Sequence, residues 1–284
     1  MSWTLSVNLD DYLAAARGFL RSRPVTHTIQ LTVLESLRGR GVAASGGQPP
    51  IFGWWRSADG EVTAAVLQTP PYPILLTALP EHSAAPLAEG LVACGRRLPG
   101  VNAAERDATA FAAAWTRLTA AGSREDRRSR LFRLGQLEPP VPGPPGTARV
   151  ATTADRGLLE AWLSAFIREI ADPDEARSIR AMVADRLGYG GLTLWEVDGT
   201  AVAMAGAHEP TAGVVRVAPV YTPSEHRRRG YGGAATVAVS QAALDAGAAD
   251  VVLFTDLANP TSNALYQRLG YRPLEERVVL RFDS

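Results

Sequence analysis

Lysine is absent from this chain: all 29 cationic side chains are arginine. That excludes a Walker A phosphate loop, which needs its lysine, and Schiff-base catalysis, which needs an amine nucleophile. Nor is there an excess of charge of either sign, because 29 carboxylates face the arginines and the formal net charge is zero. A bulk field for nucleic acid or an anionic membrane is thereby excluded, and any basic site has to be local. The one cysteine, Cys94 in "LVACGRR", lies on a predicted helix with no second thiol, so no disulfide forms within the chain. His27, His82, His208 and His226 are scattered without a repeated ligand spacing, and no metal is expected. No apolar run reaches the ~18 residues of a membrane helix, and the amino terminus has no cationic stretch leading into an apolar one. The expectation is a soluble, cytoplasmic protein with neither nucleic-acid nor membrane partners.

What is present is enough for two cores. A chain of 284 residues, 46% hydrophobic and 20% charged, is too long for one ordinary domain and comfortable for two. The boundary falls at "LEPPVPGPPG", where five prolines and two glycines between Leu137 and Gly146 forbid helix and remove backbone donors. This predicts a stiff linker, 137–146, between domains 1–136 and 147–284.

The two flanks run in parallel. Each opens with an acidic-capped amphipathic helix, "NLDDYLAAARGFLRSR" and "TTADRGLLEAWLSAFIREI", and each follows with a second helix, "IQLTVLESLRGR" and "ARSIRAMVADRLG". Each then carries a hairpin in which an apolar strand enters a Trp, an Asp-Gly turn and a Val/Ala-rich strand. In the first hairpin Trp54 and Trp55 occupy adjacent strand positions and so face opposite sides. A tandem duplication is one reading; two unrelated α/β domains sharing an ordinary hairpin is the other. Beyond the hairpins only the second flank has the segment "EHRRRGYGG", so a duplicated first flank has lost what that segment does.

Gly230, Gly232 and Gly233 open a predicted helix whose apolar face is read through Val237, Val239, Ala242 and Leu244. A helix start presents unpaired amides and the positive end of a dipole, and glycines let an anion approach them. Two phosphate-binding schemes fit. "GYGGAA" satisfies the dinucleotide pattern, with Asp256 where a ribose-binding acid belongs, which would make the protein an NAD(P)-binding oxidoreductase. That scheme needs the preceding strand to run straight into the first glycine, whereas here "TPSEHRRR" intervenes after "VVRVAPVY".

The second scheme is a resemblance. Arg227-Arg228-Arg229-Gly230-Tyr231-Gly232 matches the [QR]-x-x-G-x-[GA] motif of the GCN5-related N-acetyltransferases (GNAT), between a strand and a helix as in that family. "NPTSNALYQRLGYRP" then resembles the family's later segment, with Asn259 seven residues before Tyr266 and "LGY" following. The similarity covers Ala148 to Phe282, and the tandem arrangement with a degenerate amino-terminal copy resembles bacterial two-domain members. It implies an α/β fold: two tandem domains, each a central mixed sheet flanked by helices.

The resemblance also implies a chemistry, an acyltransferase moving an acetyl group directly from acetyl-CoA, without a metal, to a primary amine. The acceptor is a small molecule or a peptide, and neither it nor the oligomeric state can be read from the sequence. The pantetheine arm would pair with amides of Val220, Tyr221 and Thr222, and the pyrophosphate with those of Arg228 to Gly233. The side chains of Arg227, Arg228 and Arg229 either surround phosphate or stay in solvent. Asn259 and Asn263 would touch the CoA arm. Tyr266 is the implied general acid, its phenol, with an ordinary pKa of about 10, donating to the thiolate. For the base the strand "VVRVAP" offers no carboxylate, and Glu209, His208, Glu169 and Asp172 are the candidates beside a water relay. A CoA-binding module without catalysis is the alternative function.

Overall fold

The computed structural model describes residues 1–40, 48–170 and 179–283, and the chain divides into two compact units. The first half runs β1 (Ser2–Ser6), α1 (Leu9–Ser22), α2 (Thr28–Arg40), β2 (Ile51–Arg56), β3 (Val62–Gln68), β4 (Ile74–Leu76), α3 (Ala84–Ala93), β5 (Gly100–Ala104), α4 (Glu105–Thr119) and β6 (Ser123–Leu134). The second half runs β7 (Thr147–Val150), α5 (Arg156–Glu169), α6 (Ile179–Gly188), β8 (Leu192–Val197), β9 (Thr200–Ala207), β10 (Val214–Tyr221), α7 (Tyr231–Asp245), β11 (Asp250–Asp256), α8 (Pro260–Arg268) and β12 (Tyr271–Phe282). The order of helices and strands is the same in both. So is the pairing: β1 to β4 are antiparallel neighbours and β4 lies parallel to β5, while β7 to β10 are antiparallel neighbours and β10 lies parallel to β11.

Local chemistry explains the elements. The Asn8 side chain caps α1 by accepting from the amides of Asp10 and Asp11, and those two acids complement the helix dipole. Tyr12, Ala16 and Leu20, at the spacing of one helix face, are fully buried. Trp54 and Trp55 do take opposite faces of β2. Trp55 packs on Trp3 at 5.6 Å and Trp54 on Tyr12 at 6.3 Å, so both belong to the core of the first unit. Cys94 sits one residue beyond α3 and is exposed. On α7 the buried face is Tyr231, Ala235, Val239 and Ala243; Ala242 and Leu244, expected there from sequence, face solvent.

The unit boundary corrects the sequence reading. The first unit is Met1–Leu131 with Asp256–Ala258 and Glu275–Ser284; the second is Phe132–Thr255 with Asn259–Leu274. The expected domains, 1–136 and 147–284, miss this because the last strand of each half is divided. Residues 275–282 of β12 complete the first sheet, pairing antiparallel with β5 from Arg277↔Ala104 to Arg281↔Gly100. The end of β6 counts with the second unit, where Arg133 bonds Asp250 at 2.5 Å. The proline-rich segment is not a free spacer either, since it lies within the second unit and the Pro145 carbonyl accepts the Trp195 indole N–H at 3.0 Å.

The borrowed strand brings a buried cation. Arg277 is 4% exposed and donates to the Asn102 side chain (3.1 Å), the Asn102 carbonyl (3.0 Å), the Leu76 carbonyl (3.1 Å) and Glu275 (3.0 Å). One guanidinium thus bridges β4 and β5 where their pairing at Leu75↔Asn102 stops. Val278, Val279 and Phe282 add apolar area, Phe282 stacking on Trp115 at 5.9 Å. At about 1.5–3 kcal/mol per buried side chain, these three alone approach the ~5–15 kcal/mol that a whole domain holds in reserve. Deleting residues 277–284 should therefore unfold the first unit, seen as lost amide-exchange protection across β2 to β5; full retention of that protection would contradict the borrowed-strand account.

His27 gives the first unit an acid-sensitive point. The ring is buried, packs on Phe19 at 5.1 Å and lies 3.1 Å through Nδ1 from the Leu20 carbonyl. Burial, with Arg23 and Arg277 nearby, pulls its pKa down to about 4 against the pull of that hydrogen bond. The folded state excludes a proton that the unfolded chain takes up below about pH 6.5, so stability is full above that value and declines toward pH 4. Between pH 7 and 5 this amounts to about 2 kcal/mol. In urea titrations His27→Gln should lose less stability on acidification than the wild type by about that amount; parallel losses would refute the assignment.

Candidate active site

The second unit opens where the first is bridged. Parallel pairing of β10 with β11 runs from Val214↔Asp250 to Val217↔Leu253 and ends there. On its other edge β10 continues along β9 through Val220↔Ala205 and Tyr221↔Met204, after a register shift that contains Ala218 and Pro219. Beyond Val217, β10 therefore follows β9 and leaves β11, and the backbone edge facing β11 is open. Successive N–H groups on a strand point to opposite edges. Of Val220, Tyr221 and Thr222, only alternate members present an amide to that opening.

The glycine segment closes the wide end. A short 3₁₀ turn, Ser224–His226, follows Pro223, and α7 starts from Gly230 at φ +85° with no side-chain cap. Arg228 is also left-handed, at φ +61°, so the turn alternates backbone handedness and concentrates N–H groups as an anion nest does. The first α7 bond joins the Ala234 amide to the Gly230 carbonyl, leaving the amides of Tyr231, Gly232 and Gly233 ahead of the helical ladder. A Cβ on Gly232 would lie 2.9 Å from Thr222 Oγ1, so glycine lets the helix start sit against the end of β10 without displacing that hydroxyl. Gly233 is buried against Leu265, and the Tyr231 ring belongs to the core, so each has only its backbone to offer.

This splayed strand pair ending at an uncapped glycine turn lies within residues 156–271, which match the Acetyltransferase (GNAT) family. The chain carries a GNAT acetyltransferase domain. No protein with a curated description matches the sequence. Among solved structures, a GCN5-related N-acetyltransferase from Sphaerobacter thermophilus has 18% identity and a TM-score of 0.62, over 98% of this chain and 95% of that one. A GNAT-family acetyltransferase from Colwellia psychrerythraea has 10% identity and a TM-score of 0.63, over 99% of each chain. A tandem GNAT protein from the clavulanic acid biosynthesis pathway has 14% identity and a TM-score of 0.55, over 99% of this chain and 98% of that one. Likeness at these identities concerns the fold, and it spans both halves. The first half thus shares this fold and lacks the glycine turn.

The remaining predicted residues of the GNAT domain are placed as follows. Asn259 caps α8 by accepting from the Ser262 amide at 3.0 Å. Asn263 donates to the Asn259 carbonyl at 2.7 Å and accepts from Thr255 at 2.6 Å. Tyr266 is 8% exposed and packs edge-on against Tyr271 at 6.0 Å; burial, with Tyr271 beside it, pushes its phenol above the ordinary value, so it carries its proton. Arg227 is committed elsewhere than expected. Its Nε donates to the Thr222 carbonyl at 2.8 Å and its Nη2 to both Glu169 oxygens at 2.7 Å, with the guanidinium 5.8 Å from the Tyr221 ring centre. Arg228 and Arg229 are exposed.

Two base candidates lose ground on this geometry. Glu169 is held by Arg227. His208 Nε2 lies 3.1 Å from Arg186 and 3.3 Å from Arg216, and burial plus those two guanidiniums hold its pKa well below the usual range, too weak for a base at neutral pH. Glu209 is exposed beyond β9, and Asp172 lies outside the described residues. Among the described residues no group of three or more His, Cys, Asp or Glu side chains is placed to hold a metal, and no helix is long and apolar enough to cross a membrane.

Sequence reasoning missed the hydroxyl ladder under the site. The Thr236 hydroxyl donates to the Gly232 carbonyl (2.8 Å), Ser240 donates to the Thr236 carbonyl (2.7 Å), and Ser240 meets the Tyr271 phenol at 2.7 Å. Thr236, Ser240 and Tyr271 are completely buried. Ser240→Ala strands the phenol in the core, a loss of about 1–3 kcal/mol. Chemical denaturation should show that loss, and Ser240→Ala with Tyr271→Phe together should recover part of it; no recovery would mean that the pair is not coupled.

Proposed function

We propose that the protein transfers an acetyl group from acetyl-CoA to a primary amine at the second unit. The observation that carries this is the opening of β10 from β11 directly onto the uncapped start of α7. The open strand edge has the shape and donors to take the amide-bearing pantetheine arm as an added strand. The nest from Arg228 to Gly233 suits the pyrophosphate. When bound, acetyl-CoA supplies the activated acyl group; the chain's residues hold it, exclude water and manage protons.

The first unit does not offer this arrangement. Its strand gap is occupied by Arg277 on the Leu76 and Asn102 carbonyls, with Gln30 also donating to Leu76 at 3.2 Å. Its helix α3 begins after Ser83, without the glycine turn. One CoA molecule per chain is the stoichiometry this supports.

Protons move at two points. Tyr266 carries its phenol proton at neutral pH, and its place in the motif, not the shift, assigns it as the donor to the departing thiolate. On the acceptor side, among the described residues, β10 carries no carboxylate, Glu169 is engaged, His208 is a weak base and Glu209 faces solvent beyond β9, which favours an amine that enters neutral and sheds its second proton to water. Below the acceptor's own pKa, kcat/KM should then rise about tenfold per pH unit through the neutral range; a plateau near pH 7 would reveal an enzymic base. In the same assay Tyr266→Phe should lower kcat by about 100–10,000-fold with CoA affinity unchanged. Unchanged turnover would remove the acid role. A non-catalytic CoA module predicts CoA binding with no thiol release from any amine.

A further inference from the structure

The first unit has a cleft at the place where the second has its glycine turn. Strands β4 and β5 are parallel, and past their carboxyl ends the chain from Leu79 to His82 meets the start of α4 around a space of about 340 Å³. That is the size of a small-molecule site, at the end of a parallel pair where α/β sheets commonly bind ligands. Leu79, Pro80, Ala84 and Ala110 give it apolar walls, and Glu81, His82, Arg106 and Asp107 give it polar ones. Acetyl transfer as described makes no use of it.

Asp107 is the side chain that singles the cleft out. It is 5% exposed, and its Oδ1 accepts no hydrogen bond among the described residues. Arg106 stands beside it with Nε 3.4 Å from that oxygen, close enough for charge attraction but without hydrogen-bond geometry, and its Nη2 donates instead to the Leu79 carbonyl at 2.8 Å. Burial raises the carboxyl's pKa, against the pull of a Leu79 backbone hydrogen bond and of Arg106 and Arg277. A buried carboxylate oxygen without a donor is costly, and an N–H brought to it removes that penalty, most of all when the donor is charged. The surroundings favour a cation. Arg277 is answered by Glu275. Of the lining groups Glu81 and Asp107 are acids and Arg106 is the one guanidinium, while His82 lies 3.6 Å from Glu81 at the exposed rim. With that imidazole uncharged, the lining carries one net negative charge.

We propose that this cleft binds a small organic cation, an ammonium or amidinium on a short apolar body, with its N–H groups on Asp107 Oδ1 and its body against Leu79, Ala84 and Ala110. The test is titration of the full chain, with CoA present, by benzamidine and by its neutral and anionic isosteres benzamide and benzoate, followed through the methyl NMR signals of Leu79, Ala84 and Ala110. None of the three carries the primary amine that the second unit would acetylate. Benzamidine should shift those signals saturably, with benzamide and benzoate weaker by about tenfold or more. Asp107→Asn should weaken benzamidine by about tenfold or more, with amide-exchange protection across β2 to β5 kept. Arg106→Gln, which removes the cation beside Oδ1, should tighten benzamidine by about threefold, and this variant decides the matter if Asp107→Asn does not fold. Benzamidine binding that ignores both substitutions, binding no tighter than that of benzamide, or shifts confined to other residues overturns the proposal. The acetyltransferase reading stands or falls separately, on thiol release.

Discussion

The guanidinium of Arg277 joins the carbonyls of two strands in the first unit, and it arrives on a strand from the far end of the chain. Buried arginine is tolerated only when its donors are satisfied, and here Asn102, Leu76 and Glu275 satisfy them. The consequence runs in two directions. The first sheet acquires the strand that covers β5, with Val278 and Phe282 filling its core. The gap between β4 and β5, which in the second unit is the open edge, is spanned by a fixed cation. On the same order of elements, the two units thus differ at this gap and at the helix start beside it, where α3 follows Ser83 and α7 follows Gly230.

In the second unit the placing of charge follows from having arginine as the only cation. A guanidinium stays protonated in any protein setting, so the site has no lysine amine to tune and no competing nucleophile. Arg227 is tied to Glu169, Arg186 and Arg216 share His208, and the glycine turn offers backbone dipoles instead of side chains. Tyr266 and His208 are both held in their uncharged forms, the phenol by burial and the imidazole by partial burial together with the two guanidiniums beside it.

The glycine turn and the Asn259 cap were legible because they obey local rules, a helix start having unpaired amides that a small residue exposes or an asparagine caps, whereas Tyr266 was reached only through the resemblance. The hairpins were legible from Asp-Gly turns between alternating strands. Strand β5 was not, since "GVNAA" is built of poor strand formers and owes its strand form to pairing with β4 on one edge and with Arg277 to Arg281 on the other. The domain boundary was misplaced for a related reason. Proline density marks where a chain is stiff, not which sheet a distant strand joins. Arg227 looked like a phosphate ligand because its position fits a motif, and Glu169, its partner, is 58 residues away in sequence.

The borrowed strand also sets a schedule. A ribosome releases the segment through Leu134 long before it reaches Glu275, an interval on the order of ten seconds at ~5–20 residues per second. Throughout that time the β5 edge of the first sheet has no partner, and an unpartnered apolar edge is a template for wrong pairing. The nascent first half therefore waits, incomplete, for the last strand of the second. Its protection during synthesis has to come from a chaperone or from the speed of translation, and slow translation of the second half becomes an aggregation hazard for the first.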